Sequence, residues 1–206
     1  FELDKNARTP ASLIGQKIKK SKQFVDYRIK RLEQQKILPK YITVIDYSKL
    51  GYQSIRVYFK FHNLTREKQD EIEHELIKDN EVWWLVTLEG AWDVGYAVAV
   101  KNIIDFYQYW DQLMEKYRKY IKQRSVVIYT HIKQYPKSYL INKPNTDKGT
   151  QIAASTQTIH LDQFDTTLLR ILAEKARMPL IEIANKLGTS HQVVKNHMKK
   201  LEDLQI

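Results

Sequence analysis

ARTPASLIGQKIKKSKQFVDYRIKRLE at residues 7–33 and ARMPLIEIANKLGTSHQVVKNHMKKLE at residues 176–202 are one pattern written twice. The match extends without a gap from 3–37 to 172–206, at the constant offset that separates Arg8 from Arg177. It pairs Leu3 with Leu172, Ala7 with Ala176, Pro10 with Pro179, Ser21 with Ser190, Val25 with Val194, Leu32 with Leu201, Glu33 with Glu202 and Ile37 with Ile206. About a dozen identities at a fixed offset mark an internal repeat, and the repeated unit is the first thing a fold must explain.

Each copy reads as a short helix, a turn and a longer helix. Pro10 and Pro179 suit a first helical position, where a missing N–H costs nothing, and Thr9 is expected to cap the first copy. Ala11, Ile14 and Ile18, matched by Leu180, Ile183 and Leu187, recur at helical spacing. Between them stands Gly15 or Ala184, small enough for close approach of a second helix. Ser21 and Ser190 are expected to cap the longer helix, whose buried stripe is Val25, Ile29 and Leu32, or Val194, Met198 and Leu201.

The opposite face of that helix carries the chemistry. It displays Lys22, Gln23, Tyr27, Arg28, Lys30 and Arg31 in the first copy, and His191, Gln192, Lys195, Asn196, Lys199 and Lys200 in the second. A basic helix alone is most often a solvated face. A tight turn leading into a capped, basic helix, present in duplicate, is instead the helix-turn-helix arrangement in which the second helix enters the major groove of duplex DNA.

Charge distribution agrees. The chain of 206 residues carries a formal charge of +10. Residues 1–48 hold 11 Lys and Arg against 5 Asp and Glu, whereas 52–143 hold 14 against 12 and 144–206 hold 8 against 7. Positive charge therefore concentrates at the N-terminal copy, as a phosphate-facing segment requires. Cysteine is absent and the six His do not cluster at ligand spacing, so neither disulfides nor a metal site is expected. No apolar run approaches the roughly 20 residues of a membrane span, and no signal peptide is evident. A cytoplasmic protein is expected.

Residues 161–206 resemble the opening domain of leucine-responsive/asparagine (Lrp/AsnC) transcription regulators. The resemblance rests on Leu161-Asp162 with Asp165, Ala176-Arg177, Pro179, Ala184, Leu187-Gly188, Ser190, Val194 and Leu201-Glu202. The first copy is similar through NARTP, SKQFVDYRIKRLE and Ile37, but lacks the counterpart of Leu161–Leu169, so Phe1 is expected to stand inside a first helix. Two departures are visible. His197 replaces the Arg28 that matches the family, implying weaker or pH-dependent DNA binding by the second copy. Lys19-Lys20 replaces Gly188-Thr189 at the turn, where a left-handed residue is wanted.

Between the copies the periodicity changes. Pro39 to Gly51 is rich in β-formers and suits a wing strand and connector. Ile55, Val57, Phe59 and Phe61 then alternate with Arg56, Tyr58, Lys60 and His62, which marks a strand with one buried face. A surface helix over 65–80 follows, then strands at 82–89 and 92–100 around a Gly90-Ala91 turn. A helix from Asn102 to about Lys122 buries Ile103, Phe106, Tyr107, Trp110, Leu113, Met114, Tyr117 and Ile121, and a strand over 125–135 closes the set. The order βαββαβ is that of a ferredoxin-like sheet with helices on one side.

The expected class is thus α+β. It comprises a winged helix-turn-helix over 1–50, a ferredoxin-like domain over 52–143, a polar linker over 144–159 and a second helix-turn-helix over 160–206. The chain ends before a second wing, as a piece of a longer tandem protein would. The family resemblance implies that the middle domain dimerises and binds an amino acid near a Gly-x-x-Asp hairpin, here Gly90 and Asp93, with Tyr96 beside them. A hairpin Gly and a turn Asp also arise for conformational reasons alone. Trp83, Trp92 or Tyr129 on the sheet face opposite the helices would be covered by dimerisation.

Two rivals share parts of this pattern. An RNA-binding sheet has the same βαββαβ order, and Gly95-Tyr96-Ala97 partly imitates its third-strand signature, but Val98 and Val100 stand where further aromatics are wanted. An architectural DNA binder without effector shares every DNA feature. An enzyme is not expected: the chain has no Gly-rich phosphate loop, no His pair with Glu at metalloprotease spacing and no nucleophile with a base, and no cofactor is implied.

Overall fold

The computed structural model describes residues 1–142, 144, 149–153 and 155–206. Of the expected linker, residues 145–148 and 154 lie outside the described residues, as does Lys143 at the end of the expected sheet domain. In chain order the elements are α1 (Glu2–Lys5), α2 (Ala11–Ile18), α3 (Lys22–Gln34), β1 (Gln53–Phe61), α4 (Arg66–Lys78), β2 (Val82–Thr87), β3 (Val94–Val100), α5 (Ile103–Tyr117), β4 (Ile121–Tyr129), β5 (Ile132–Gln134), β6 (Thr150–Ile152), α6 (Gln163–Glu174), α7 (Leu180–Leu187) and α8 (His191–Asp203).

The described residues gather into two compact units. One comprises Phe1–Asp46, Lys133–Thr150 and His160–Ile206, the other Tyr47–Ile132 and Gln151–Ile159. Both copies of the repeat belong to the first.

In the first unit the repeat is reproduced residue by residue. Helices α2 and α3 begin and end at the positions equivalent to those of α7 and α8. Ser21 caps α3 by accepting from Phe24 N–H, and Ser190 caps α8 by accepting from Val193 N–H. The intervening turn needs a left-handed residue in both copies. Gly188 takes it at φ 63°, and Lys19 adopts it at φ 54° despite its Cβ. At Gly15 a Cβ would come within 2.5 Å of Lys20 O, so the backbone of the turn lies against α2.

Two local expectations change. Pro10 and Pro179 stand one residue before their helices rather than inside them. Thr9 makes no cap: its hydroxyl donates to Asn6 O and closes the turn after α1. The cores of the copies also differ in depth. The second buries Leu168, Leu172, Ile183, Val194 and Leu201, where each side chain removed from water contributes roughly 1.5–3 kcal/mol. In the first copy α1 is only four residues long, Ala11, Ile14 and Val25 are buried, and Ile18 and Phe24 stay 48% and 43% exposed. The stretch 39–51, expected to hold a wing strand and a connector, forms no strand in the structure. Two of its polar groups are turned to the second copy: Tyr41 O accepts from Ala176 N–H at 3.2 Å, and the Thr43 hydroxyl donates to Leu172 O at 2.8 Å.

The second unit is an antiparallel sheet of order β2-β3-β1-β4, the ferredoxin-like arrangement. Alternation sends Ile55, Val57, Phe59 and Phe61 of β1 and Val94, Tyr96, Val98 and Val100 of β3 to one face, where they bury against Ile72 and Leu76 of α4 and Phe106, Leu113, Met114 and Tyr117 of α5. Thr65 and Asn102 cap the two helices. Helix α5 is shorter than its apolar periodicity suggests. Ile103 and Tyr107 remain exposed, the helix tightens into a 3₁₀ turn after Tyr117, and Ile121 already belongs to β4. The loop between β2 and β3 spans 88–93, wider than a two-residue turn, with Gly90 at φ 112°.

Candidate nucleic-acid interface

The cap at Ser21 sets the rotation of α3. With Val25 buried and Ile29 and Leu32 half-buried, the side chains 3.6 residues per turn away fall on the solvent side: Gln23, Tyr27 and Lys30 at its centre, Lys22, Arg28 and Arg31 towards its edges. All six are exposed, Tyr27 at 61%. Helix α8, clamped by Val194 and Leu201, presents Gln192, Asn196 and Lys199 in the same three central places, with His191 and Lys195 beside them, all exposed. Gln192 Nε2 donates to Asn196 Oδ1 at 3.0 Å, which aligns the two amides along the helix. These are long donors and amides of the kind that reach base edges and phosphates from a groove.

The edges of the two helices diverge. At the position of Arg28, His197 turns inward, its Nδ1 2.6 Å from Asp165 Oδ1 and its ring 4.3 Å from that of Phe164. Asp165 is fully buried and also receives Lys200 Nζ at 2.5 Å. That hydrogen bond to Asp165 raises the Lys200 pKa. Asp162, which caps α6 by accepting from Asp165 N–H, is held below the usual carboxylate range chiefly by that backbone bond. Asp162, Asp165 and His197 bring their ligand atoms within 4.8 Å of one another. Lys200 Nζ lies 2.5 Å from Asp165 and 3.6 Å from Asp162, so the cluster already has its cation.

Sequence reading missed the residues that tie the copies together. Arg8 Nη1 donates to Ala176 O at 2.7 Å and to Met178 O at 2.9 Å, and Arg177 Nη1 donates to Ala7 O at 2.7 Å. Burial, followed by the like charge of Arg177, lowers the Arg8 pKa. Their identity within a turn, where packing alone asks for no guanidinium, was the signal available.

In the sheet unit the residues read as effector-proximal separate. Lys60 Nζ bonds Asp93 Oδ1 at 2.6 Å and Gly90 O at 3.0 Å, and Asp93 Oδ2 accepts from Phe61 N–H, so Gly90 and Asp93 are joined as a loop clamp. Tyr96 lies instead in the core, fully buried, 5.5 Å from the ring of Phe59. Burial, with Tyr109 beside it, pushes its hydroxyl well above the ordinary value. The face of the sheet away from the helices carries Arg56 sandwiched between Trp84 and Tyr129, each ring 4.2 Å from the guanidinium carbon, with Tyr58 and Trp92 adjoining. Trp83, at a register shift in β2, is 45% exposed and packs against Tyr47.

A helix, a turn and a capped polar helix, present twice, and an antiparallel ferredoxin-like sheet define a helix-turn-helix protein of α+β class. Residues 161–206 match the family model of winged helix-turn-helix DNA-binding domains. Solved structures share the wider arrangement. An AsnC family transcriptional regulator from Agrobacterium tumefaciens aligns with TM-score 0.56 and 15% identity over 66% of this chain and 88% of its own. A transcriptional regulator from Neisseria meningitidis, solved with L-Met, aligns with TM-score 0.54 and 15% identity over 70% and 87%. AsnC of E. coli gives 0.52 and 16% over 62% and 85%. The chain has the fold of Lrp/AsnC-family regulators. No curated protein matches the sequence. Among the described residues no helix is long and apolar enough to cross a membrane.

Proposed function

We propose that this chain is a cytoplasmic, sequence-specific DNA-binding transcription regulator of the Lrp/AsnC type, in which α3 and α8 are the groove-reading helices. The observation that carries it is the pair of capped helices presenting a Gln, a Lys and a third polar side chain on one open face, the second of them, α8, within the segment matched to DNA-binding domains. Phosphate contacts by Lys22, Arg28, Arg31, His191 and Lys195 set position and salt dependence; Gln23, Tyr27, Lys30, Gln192, Asn196 and Lys199 read bases. The sheet unit associates with a second copy through the aromatic face around Arg56, as buried aromatics at interfaces do. A small amino acid is the effector class, by analogy with the neighbour solved with L-Met.

Selection of the full chain on random duplex DNA tests the reading: enrichment of a defined sequence supports it, and recovery of unenriched DNA overturns it. A specific observation favours an effector-free architectural variant. Asp93 is committed to Lys60 and to a backbone N–H, and Tyr96 is sealed in the core. Calorimetric titration with L-Met and the other amino acids separates the two, since heat of binding supports the effector and its absence the architectural form. An RNA-binding sheet is disfavoured, because β3 sends Tyr96 to the helix side and offers Gly95, Ala97 and Ala99 on the other.

A further inference from the structure

Arg8 and Arg177 are equivalent residues of the repeat, and so are their acceptors Ala7 and Ala176. Each guanidinium therefore bonds, in the opposite copy, the carbonyl that precedes the other guanidinium. When residue i of one copy meets j of the other and j meets i in return, the two are related by a two-fold axis, the isologous contact of symmetric dimers. Here both partners belong to one chain and one compact unit. The segment after the first copy reinforces the pairing: Tyr41 O takes Ala176 N–H, Arg177 lies 5.1 Å from the Tyr41 ring, and the Tyr41 hydroxyl donates to Glu33 at 2.8 Å.

Two-fold related helix-turn-helix units address two half-sites in inverted orientation. The reading faces then say how alike the half-sites are. Gln23 and Lys30 recur as Gln192 and Lys199, so the bases they contact are the same in both halves. Tyr27 is replaced by Asn196, and Asp26 by Lys195. Asn makes the bidentate amide contact that adenine accepts, whereas Tyr has one hydroxyl and a ring suited to a thymine methyl.

We infer that one chain carries both halves of a two-fold DNA reader, and that its ligand is an imperfect inverted repeat whose halves differ where Tyr27 and Asn196 meet the bases. This rests on the DNA-reading assignment above and adds the class of site to it.

The test is selection and sequencing on the full chain and on Asn196→Tyr, followed by titration of labelled duplexes with stoichiometry from native mass spectrometry. The inference expects an inverted repeat with unequal halves, one repeat bound per chain, and roughly tenfold or greater loss when one half is scrambled or the halves are moved about 5 base pairs apart, half a turn of the duplex. Asn196→Tyr should select a more symmetric repeat. Arg8→Ala with Arg177→Ala should weaken the whole repeat while leaving a single half-site's affinity unchanged. Enrichment of one unpaired motif, of direct repeats, or of a repeat needing two chains would overturn the inference and leave DNA reading standing. No enrichment at all would overturn both.

Discussion

His197 Nδ1 lies 2.6 Å from the Oδ1 of Asp165, so a residue on the edge of α8 is turned into the helix packed behind it. Asp165 is a fully buried carboxyl group that bonds both His197 and Lys200. Removing those partners together leaves it buried and unpaired, whereas removing Asp165 leaves two side chains that can swing to water. Thermal unfolding followed by circular dichroism should therefore show a larger fall in midpoint for His197→Ala with Lys200→Ala than for Asp165→Ala. The reverse order would mean that the buried carboxyl group does not depend on these two partners.

Lys19 occupies the left-handed turn position that Gly188 fills in the second copy. Replacing it by Gly removes the Cβ penalty, and Lys19→Gly should raise stability by about 0.5–1 kcal/mol, with Gly188→Lys moving the other way. Chemical denaturation of the two variants against the parent measures both signs.

Gln23 and Tyr27 sit at the centre of the open face of α3, and neither side chain has a hydrogen-bond partner among the described residues. Gln23→Ala should cost about 1–3 kcal/mol of binding to the selected duplex and relax preference at one base position. Arg31→Ala, at a position assigned to phosphate, should lower the slope of log affinity against log salt by about 1. Fluorescence anisotropy across a salt series reads both, and a loss spread evenly over unrelated sequences would remove Gln23 from base recognition.

Tyr41 has its hydroxyl pushed up to about 12, by burial first and then by the hydrogen bond to Glu33. A pKa higher in the folded chain than in the unfolded one means that folding favours the protonated phenol. This stabilisation is complete below the unfolded value of about 10 and is lost as pH climbs through about 12. Stability between these limits should fall more steeply for the parent than for Tyr41→Phe. Parallel curves would show that neither burial nor the Glu33 hydrogen bond favours the protonated phenol in the folded chain.

Much of this was legible in the residues themselves. Helix starts follow from Ser21, Ser190, Thr65 and Asn102, because a side-chain acceptor at that position satisfies a backbone donor whatever the surroundings. The buried face of β1 follows from the alternation of Ile55 to Phe61, and the open faces of α3 and α8 follow from the stripe opposite Val25 and Val194. The wing strand expected within 39–51 was misread for the opposite reason: strand propensity is local, but a strand exists only where a partner edge pairs with its backbone, and here the Tyr41 carbonyl accepts from Ala176 N–H of the second copy instead.

By itself the sequence determined the repeat, its caps, its periodicities and the chemistry of its exposed sides, all of which depend on neighbours within a few positions along the chain. Only the tertiary structure decided that Arg8 and Arg177 donate to the Ala176 and Ala7 carbonyls across the two copies, that His197 faces inward where Arg28 faces out, and that Tyr96 parts from Gly90 and Asp93. Those choices depend on which distant group supplies a hydrogen bond or a countercharge to an atom leaving water, and no spacing along the chain encodes that.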